Sequence, residues 1–215
     1  MENLINTANI IFIVRELEWL KEVINTRLKL YYKNDTKYAS IEEVEPQKVT
    51  ALTGEYDVFV AKHKLNAPDR IALILPFVPI LRPQLFDVFC IRNSDTGRQF
   101  VEFGGIYGTH YMGFIPTLET LLFILSGNDT ELRLWYYCYF ECHFLFSQEM
   151  IIREQLSVNE PPTTAMLIPS KTLLSQLIRE EIESRELNEI KRSQTLQHNK
   201  RFGASGGVTS NNFLW

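Results

Sequence analysis

Between residues 4 and 32, apolar side chains return at three- and four-residue steps: Ile10, Ile13, Leu17, Leu20, Ile24 and Leu28. That spacing puts them on one stripe of an α-helix. Arg15, Glu16, Glu18, Lys21, Glu22 and Arg27 fall mostly off the stripe, and Asn6 or Thr7 is placed to cap the start. The stripe reads as a core face. Residues 33–54 turn polar, with Pro46 and Gly54 as breaks, and read as a loop holding one short element. Residues 56–65 predict a short helix, and Asn66, Ala67, Pro68 and Asp69 have the composition of a helix start. The stretch RIALILPFVPILRPQLFDVF is almost wholly apolar up to Arg82. It predicts a buried helix broken or kinked at Pro76 and Pro79, then another from Pro83 to about Phe89.

The pattern then changes period. Asn93, Ser94, Asp95, Thr96 and Gly97 form a turn cluster, followed by RQFVEF and GGIYGTHYMGF. Gly104, Gly105, Gly108 and Gly113 argue against a helix there and for a hairpin or looped wing. Pro116, Thr117, Leu118 and Glu119 open another helix, with Leu118, Leu121, Leu122 and Leu125 on its buried stripe and Gly127 at its end. Asp129 or Thr130 caps a further helix through WYYCYF. From His143 the segments shorten: HFLF, EMIIRE and TAMLI read as strand-like pieces separated by turns and by Pro161 and Pro162. Ser170 then caps a last long helix with an imperfect stripe of Leu173, Leu174, Leu177, Ile178, Ile182, Leu187 and Ile190. Its acids come early (Glu180, Glu181, Glu183) and its bases late (Lys191, Arg192), in the sense the helix dipole favours. The end, RFGASGGVTSNNFLW, is small and polar until Phe213, Leu214 and Trp215.

These elements predict an α+β chain, mainly α. A winged-helix-like helical domain with short β-hairpins fills 1–168, a long helix 169–200 and an extended tail 201–215. Composition narrows the function classes. The 215 residues are 45% hydrophobic and carry a net charge of −4, so disorder throughout is excluded. A pI of about 5.7 argues against a chain that binds nucleic acid as a whole. Three cysteines are too few and odd in number for a disulfide-stapled secreted fold. The apolar stretch at 8–14 runs straight into Arg15 and Glu16, which reads as neither a signal peptide nor a membrane span. The expected location is cytoplasmic.

Local chemistry gives little. GxxxxGK[ST] is missing, and the GGIYG at 104–108 lacks the following Lys and Ser/Thr. Its glycines read as suppliers of positive φ and close packing. Cys138, Glu141, Cys142 and His143 cluster, with the two thiols four residues apart on one helical face. A structural zinc site wants a second pair, and Cys90 and His110 stand alone, so buried free thiols among aromatic neighbours are expected. His110, among turn glycines, is the best single candidate for a polar site. Neither cofactor nor metal is expected. The helices beside the hairpin are too apolar for a DNA-reading helix.

RPQL at 82–85, EFGG at 102–105, GFIPTLET at 113–120 and the LFILSGND run, together with NLINTANIIFIVRELEWLKEVI at the start, carry a family resemblance. The stretch resembles the N-terminal domain of a group of Bacteroidetes AAA ATPases encoded with contractile, phage-tail-like injection systems. The likeness covers roughly residues 4–135 and implies a helical, winged-helix-like domain. The ATPase module itself has no counterpart here, so ATP hydrolysis is not carried over. What the resemblance implies is a non-enzymatic structural or assembly component of an injection particle, with other particle subunits or a separate AAA ATPase as partners. A winged-helix DNA binder is the alternative from another class. The tail adds its own inference: Phe202, Phe213, Leu214 and Trp215 read as aromatic and apolar anchors for a partner pocket, and Lys191, Arg192, Lys200 and Arg201 as polar steering contacts.

Overall fold

The computed structural model describes residues 2–49, 54–108 and 110–179. The first helix, α1 (Glu2–Tyr31), matches the expected span, and since it begins at Glu2, Asn6 and Thr7 lie inside it rather than at its cap. Ile13, Leu17, Leu20 and Ile24 are buried as the periodicity predicts. Phe12, Trp19 and Val23 are buried with them, so the inward arc is wider than one stripe. Glu16 is also fully buried, against its placement off the core face. After α1 the chain reverses: Asn34 N donates to Lys29 O (2.8 Å) and Lys33 takes a left-handed φ of 56°, the geometry of a helix C-cap.

Helix α2 (Glu55–Lys62) is followed by α3 (Ala67–Ile74), whose start is a reciprocal cap. Asp69 N donates to Asn66 Oδ1 (3.0 Å), and Asn66 N donates to an Asp69 carboxylate oxygen (3.1 Å). A 3-10 turn over Leu75–Phe77 and the short α4 (Val78–Leu81) continue the run. The run is broken into new segments just before Pro76 and Pro79, as expected. Each proline lies in the first turn of a new helical segment, where a missing N–H costs little. The sharp bend comes at Arg82, ahead of Pro83, where the path turns through 108°. Arg82 is extended (φ −157°, ψ 66°), because a residue before proline is pushed out of the α region. Pro83–Phe89 is a 3-10 helix.

The glycine-rich stretch forms the expected hairpin: β1 (Ile106–Tyr107) pairs antiparallel with β2 (Phe114–Ile115), Ile106 opposite Ile115. Helix α5 (Leu118–Ser126) is capped by Thr117, whose hydroxyl accepts from Thr120 N (3.4 Å) while Thr120 Oγ1 accepts from Thr117 N (3.1 Å). Apart from Glu119, every residue of α5 is buried, as a helix apolar on all sides must be. Its last carbonyls are capped from α1: Arg27 Nε donates to Ile124 O and Nη2 to Leu125 O, both at 2.8 Å. Asp129 caps α6 (Thr130–Cys142) by accepting from Leu132 N (2.9 Å).

HFLF, expected as a strand, is instead helix α7 (Phe144–Ser147), begun by the His143 carbonyl, which accepts from Phe146 N and Ser147 N. A four-residue alternation is too short to separate the two periods. The other two strand readings pair with each other: β3 (Ile151–Glu154) lies antiparallel to β4 (Met166–Pro169), Arg153 opposite Leu167. Ser170 caps α8 (Lys171–Leu174) as expected, and a π-helical turn follows over Ser175–Arg179. Leu173 and Leu177 belong to the same core as α1 and α5. The described residues are thus mainly α with two small antiparallel sheets. Among the described residues, no single helix is long and apolar enough to cross a membrane.

Candidate interaction groove

The motif segments converge in space. Phe86 follows RPQL, Phe103 lies in EFGG, Phe114 in GFIPTLET and Phe123 in LFILSGND. Their rings pack in series with Phe89: Phe86–Phe114 centroids are 5.3 Å apart, Phe89–Phe103 5.6 Å and Phe103–Phe123 4.7 Å. Such spacings suit tilted and edge-to-face packing of buried rings. The EFGG glycines let the backbone reach the start of α5. A Cβ on Gly104 (φ 64°) would lie 2.5 Å from Thr117 Oγ1, and one on Gly105 (φ 85°) 2.1 Å from the Phe114 ring. Gly105 N donates to Thr117 Oγ1 (3.1 Å). This amide therefore serves the helix cap and is not aimed at an open phosphate cradle. From the other side β4 is stitched on, through Leu118 N to Ala165 O and Leu167 N to Pro116 O, both 2.9 Å.

Between these parts lies a groove of about 630 Å³, walled by residues 99–106, the start of α5, Arg133 of α6 and residues 160–164. Its charged groups are Glu102, Glu119, Glu160 and Arg133. Arg133 Nη2 sits 2.5 Å from Glu119 Oε2. Glu102 accepts from the Tyr31 hydroxyl, and that bond, with burial adding to it, pushes the Tyr31 phenol up to about 12. Glu160 accepts from the Thr164 hydroxyl (3.2 Å). Val101, 84% exposed, stands on the groove's lip beside half-buried Phe100.

Other surface features lie apart from it. At the hairpin tip Tyr111 and Met112 are exposed, and the Tyr111 hydroxyl donates to Pro79 O (3.5 Å), next to exposed Ile80. His110 is exposed at the same tip. On α6, Leu134 and Trp135 are exposed, and Trp135 stacks on Tyr139 at 5.1 Å. Cys138 and Cys142 are also exposed there, which corrects the expectation of buried thiols: their i,i+4 face is the solvent face of α6. The four-residue cluster around them is split. Glu141 pairs with Arg153, and His143 turns inward to Asp69. Among the described residues, no group of three or more His, Cys, Asp or Glu is placed to hold a metal ion.

Two buried polar networks escaped sequence reasoning. Glu16 and Arg70 form a bidentate pair, Nε to Oε1 at 2.8 Å and Nη2 to Oε2 at 2.5 Å. Arg70 Nη1 also donates to Gln47 O (3.0 Å), and its guanidinium lies over Phe12 and Trp19. Burial pushes the Glu16 carboxyl above the ordinary carboxylate value, and the bonds from Arg70 and Tyr56 only partly offset this. Beside it, Asp69 Oδ1 accepts from the Tyr139 hydroxyl (2.7 Å) and lies 3.3 Å from His143 Nε2. His143 Nδ1 accepts from Leu145 N (3.4 Å), so the hydrogen-bond pattern assigns the proton to Nε2. Burial lowers the His143 pKa and the Asp69 charge opposes it, a balance that keeps the ring neutral. Burial, with the Asp69 bond adding to it, pushes the Tyr139 phenol up to about 12. With both imidazole nitrogens engaged, this cluster fastens α3 to α6 and α7. The available signals were Glu16 at the i+3 position after Ile13 and Arg70 at the head of an apolar run.

The sequence-predicted partner contacts, Lys191, Arg192, Lys200, Arg201, Phe202, Phe213, Leu214 and Trp215, lie outside the described residues. No family model, no curated protein and no solved structure matches this chain.

Proposed function

We propose that this protein is a non-enzymatic structural or assembly component of a contractile, phage-tail-like injection particle. Its globular part would dock on neighbouring subunits while a C-terminal helix and tail reach a second one. The observation that carries the reading is the convergence described above. Segments bearing the family resemblance meet at one aromatic cluster, and two of them, EFGG and GFIPTLET, line one groove, which supports reading them as a common docking unit. The β1–β2 hairpin, set between the Pro83–Phe89 helix and α5, supports the winged-helix-like form of that unit. The exposed Ile80, Tyr111 and Met112 give it an apolar contact face. Phe202, Phe213, Leu214 and Trp215 serve as the arm's anchors and Lys191, Arg192, Lys200 and Arg201 as its steering charges. Linking two contacts on one chain raises the effective concentration of the second.

The resemblance to a domain that precedes an ATPase favours a second reading, an adaptor that works beside a separate AAA ATPase in the cytoplasm. One purification separates the two. A particle component is recovered with intact particles at fixed stoichiometry, and deletion of residues 203–215 abolishes its incorporation. An adaptor is missing from mature particles and elutes in a soluble complex with an ATPase ring. Normal incorporation of the truncated chain would rule out the anchor role.

A further inference from the structure

We infer that the groove between residues 99–106 and 160–164 is the seat of this chain's own Lys200, Arg201 and Phe202. Charge is the first argument. The groove presents Glu102, Glu119 and Glu160 against one cation, Arg133, which Glu119 already holds. Glu102 and Glu160 take their bonds from the hydroxyls of Tyr31 and Thr164 rather than from cations. The chain carries 22 Lys and Arg against 26 Asp and Glu, yet from Ile190 to Phe202 it has Lys191, Arg192, Lys200 and Arg201 and not one acid. That stretch is the complement of an acidic groove. Shape is the second argument. The groove's lip is apolar, with Val101 exposed beside Phe100, and an aromatic residue directly after two cations fills such a lip while the cations meet the carboxylates. Lys191 and Arg192 are followed by Ser193 and Gln194 and lack that aromatic.

Reach is the third argument. The described residues end at Arg179. The steps from there to Lys200 span ~30 Å as the helix expected over 169–200 and up to ~70 Å when extended, against a width of ~40 Å for a domain this size. A tether of that length holds its own segment near the groove at roughly millimolar effective concentration. A contact in this place gives the last residues, including Phe213, Leu214 and Trp215, a fixed point of departure. The inference does not require the particle reading: it assigns Lys200, Arg201 and Phe202 to the chain's own groove and leaves Lys191, Arg192, Phe213, Leu214 and Trp215 for the contact with a second subunit. Deleting 203–215, the test of that reading, leaves Lys200, Arg201 and Phe202 in place, so the two ideas fail separately.

The test is zero-length carbodiimide coupling of the full chain, which joins an amine to a carboxylate only when they touch. Equal amounts of 15N-labelled and unlabelled chain are mixed, coupled, digested and mapped by mass spectrometry. The expected product joins Lys200 to Glu102 or Glu160 within single chains. Glu160→Lys, an exposed substitution whose thermal melt reports on folding, lowers the Lys200–Glu102 yield about fivefold, in keeping with one rim ion pair. Adding Arg201→Glu to Glu160→Lys restores it. The inference is overturned by coupling through Lys191 instead, by products of mixed isotope content that place a second copy's tail in the groove, or by a yield indifferent to Glu160→Lys.

Discussion

Asp69 and Arg70 are neighbours at the start of α3, yet their side chains serve opposite contacts. Arg70 faces α1 and forms a fully buried ion pair with Glu16. Asp69 faces α6 and α7 and gathers the Tyr139 hydroxyl and the neutral His143 ring. The first contact concentrates its stabilisation in one charged pair, which is strongly destabilising to halve. The second spreads one carboxylate over the α3 cap, a phenol and an imidazole, so no single deletion leaves it bare. One turn of helix thus fixes two interfaces of different kinds, one all-or-none and one divisible.

The comparison is broken most directly at Arg70. Arg70→Met leaves the Glu16 carboxylate buried without its cation, and urea unfolding followed by circular dichroism is expected to show a loss of about 3–5 kcal/mol. On the other side Tyr139→Phe removes one of the donors to Asp69 and is expected to cost about 1–2 kcal/mol in the same measurement. A ratio near one between these two losses would overturn the contrast. Acid separates the two regions by sign. His143 has a folded pKa below its ordinary 6.5, so its contribution is complete above pH 6.5 and is lost as pH falls through the folded value. Glu16 has a folded pKa above its ordinary 4.5, so its contribution is greatest below pH 4.5 and declines as pH rises through the folded value. Stability measured stepwise from pH 7.5 down to 5.5 is expected to fall by at most about 1.4 kcal/mol per pH unit for one proton, and His143→Gln is expected to flatten that slope. The smallest effect is expected from Glu16→Leu with Arg70→Met. Replacing the whole pair by apolar groups is expected to leave stability within about 1 kcal/mol of the parent or above it.

Local signals were legible where one segment carries its own explanation. The α1 periodicity, the Asn66 and Ser170 caps, and the strands EMIIRE and TAMLI follow from spacing and capping chemistry and lie where expected. The errors share one cause. Glu16 looks like a surface residue until α3 supplies Arg70, 54 positions later. Cys138 and Cys142 look buried because their neighbours are aromatic, whereas α6 turns that face outward. The groove was the least legible feature, since Glu102, Glu119, Arg133 and Glu160 come from four segments and no short motif contains them together. What could be read was that EFGG needs glycine; why it needs it depends on Thr117 and Phe114.

Arg27 has a consequence for the order of events during synthesis. It closes the end of α5 from 97 residues upstream. The first helix therefore leaves the ribosome with its inward face prepared and its counterpart not yet made. At typical translation speeds of about 5–20 residues per second, that wait lasts ~5–20 s. For this interval Phe12 and Trp19 meet only the earlier partners Val44, Tyr56 and Arg70, while the side of the helix that packs on α5 waits. The nascent chain is then expected to be a substrate for holding chaperones until residue 125 emerges and the two helices close on each other.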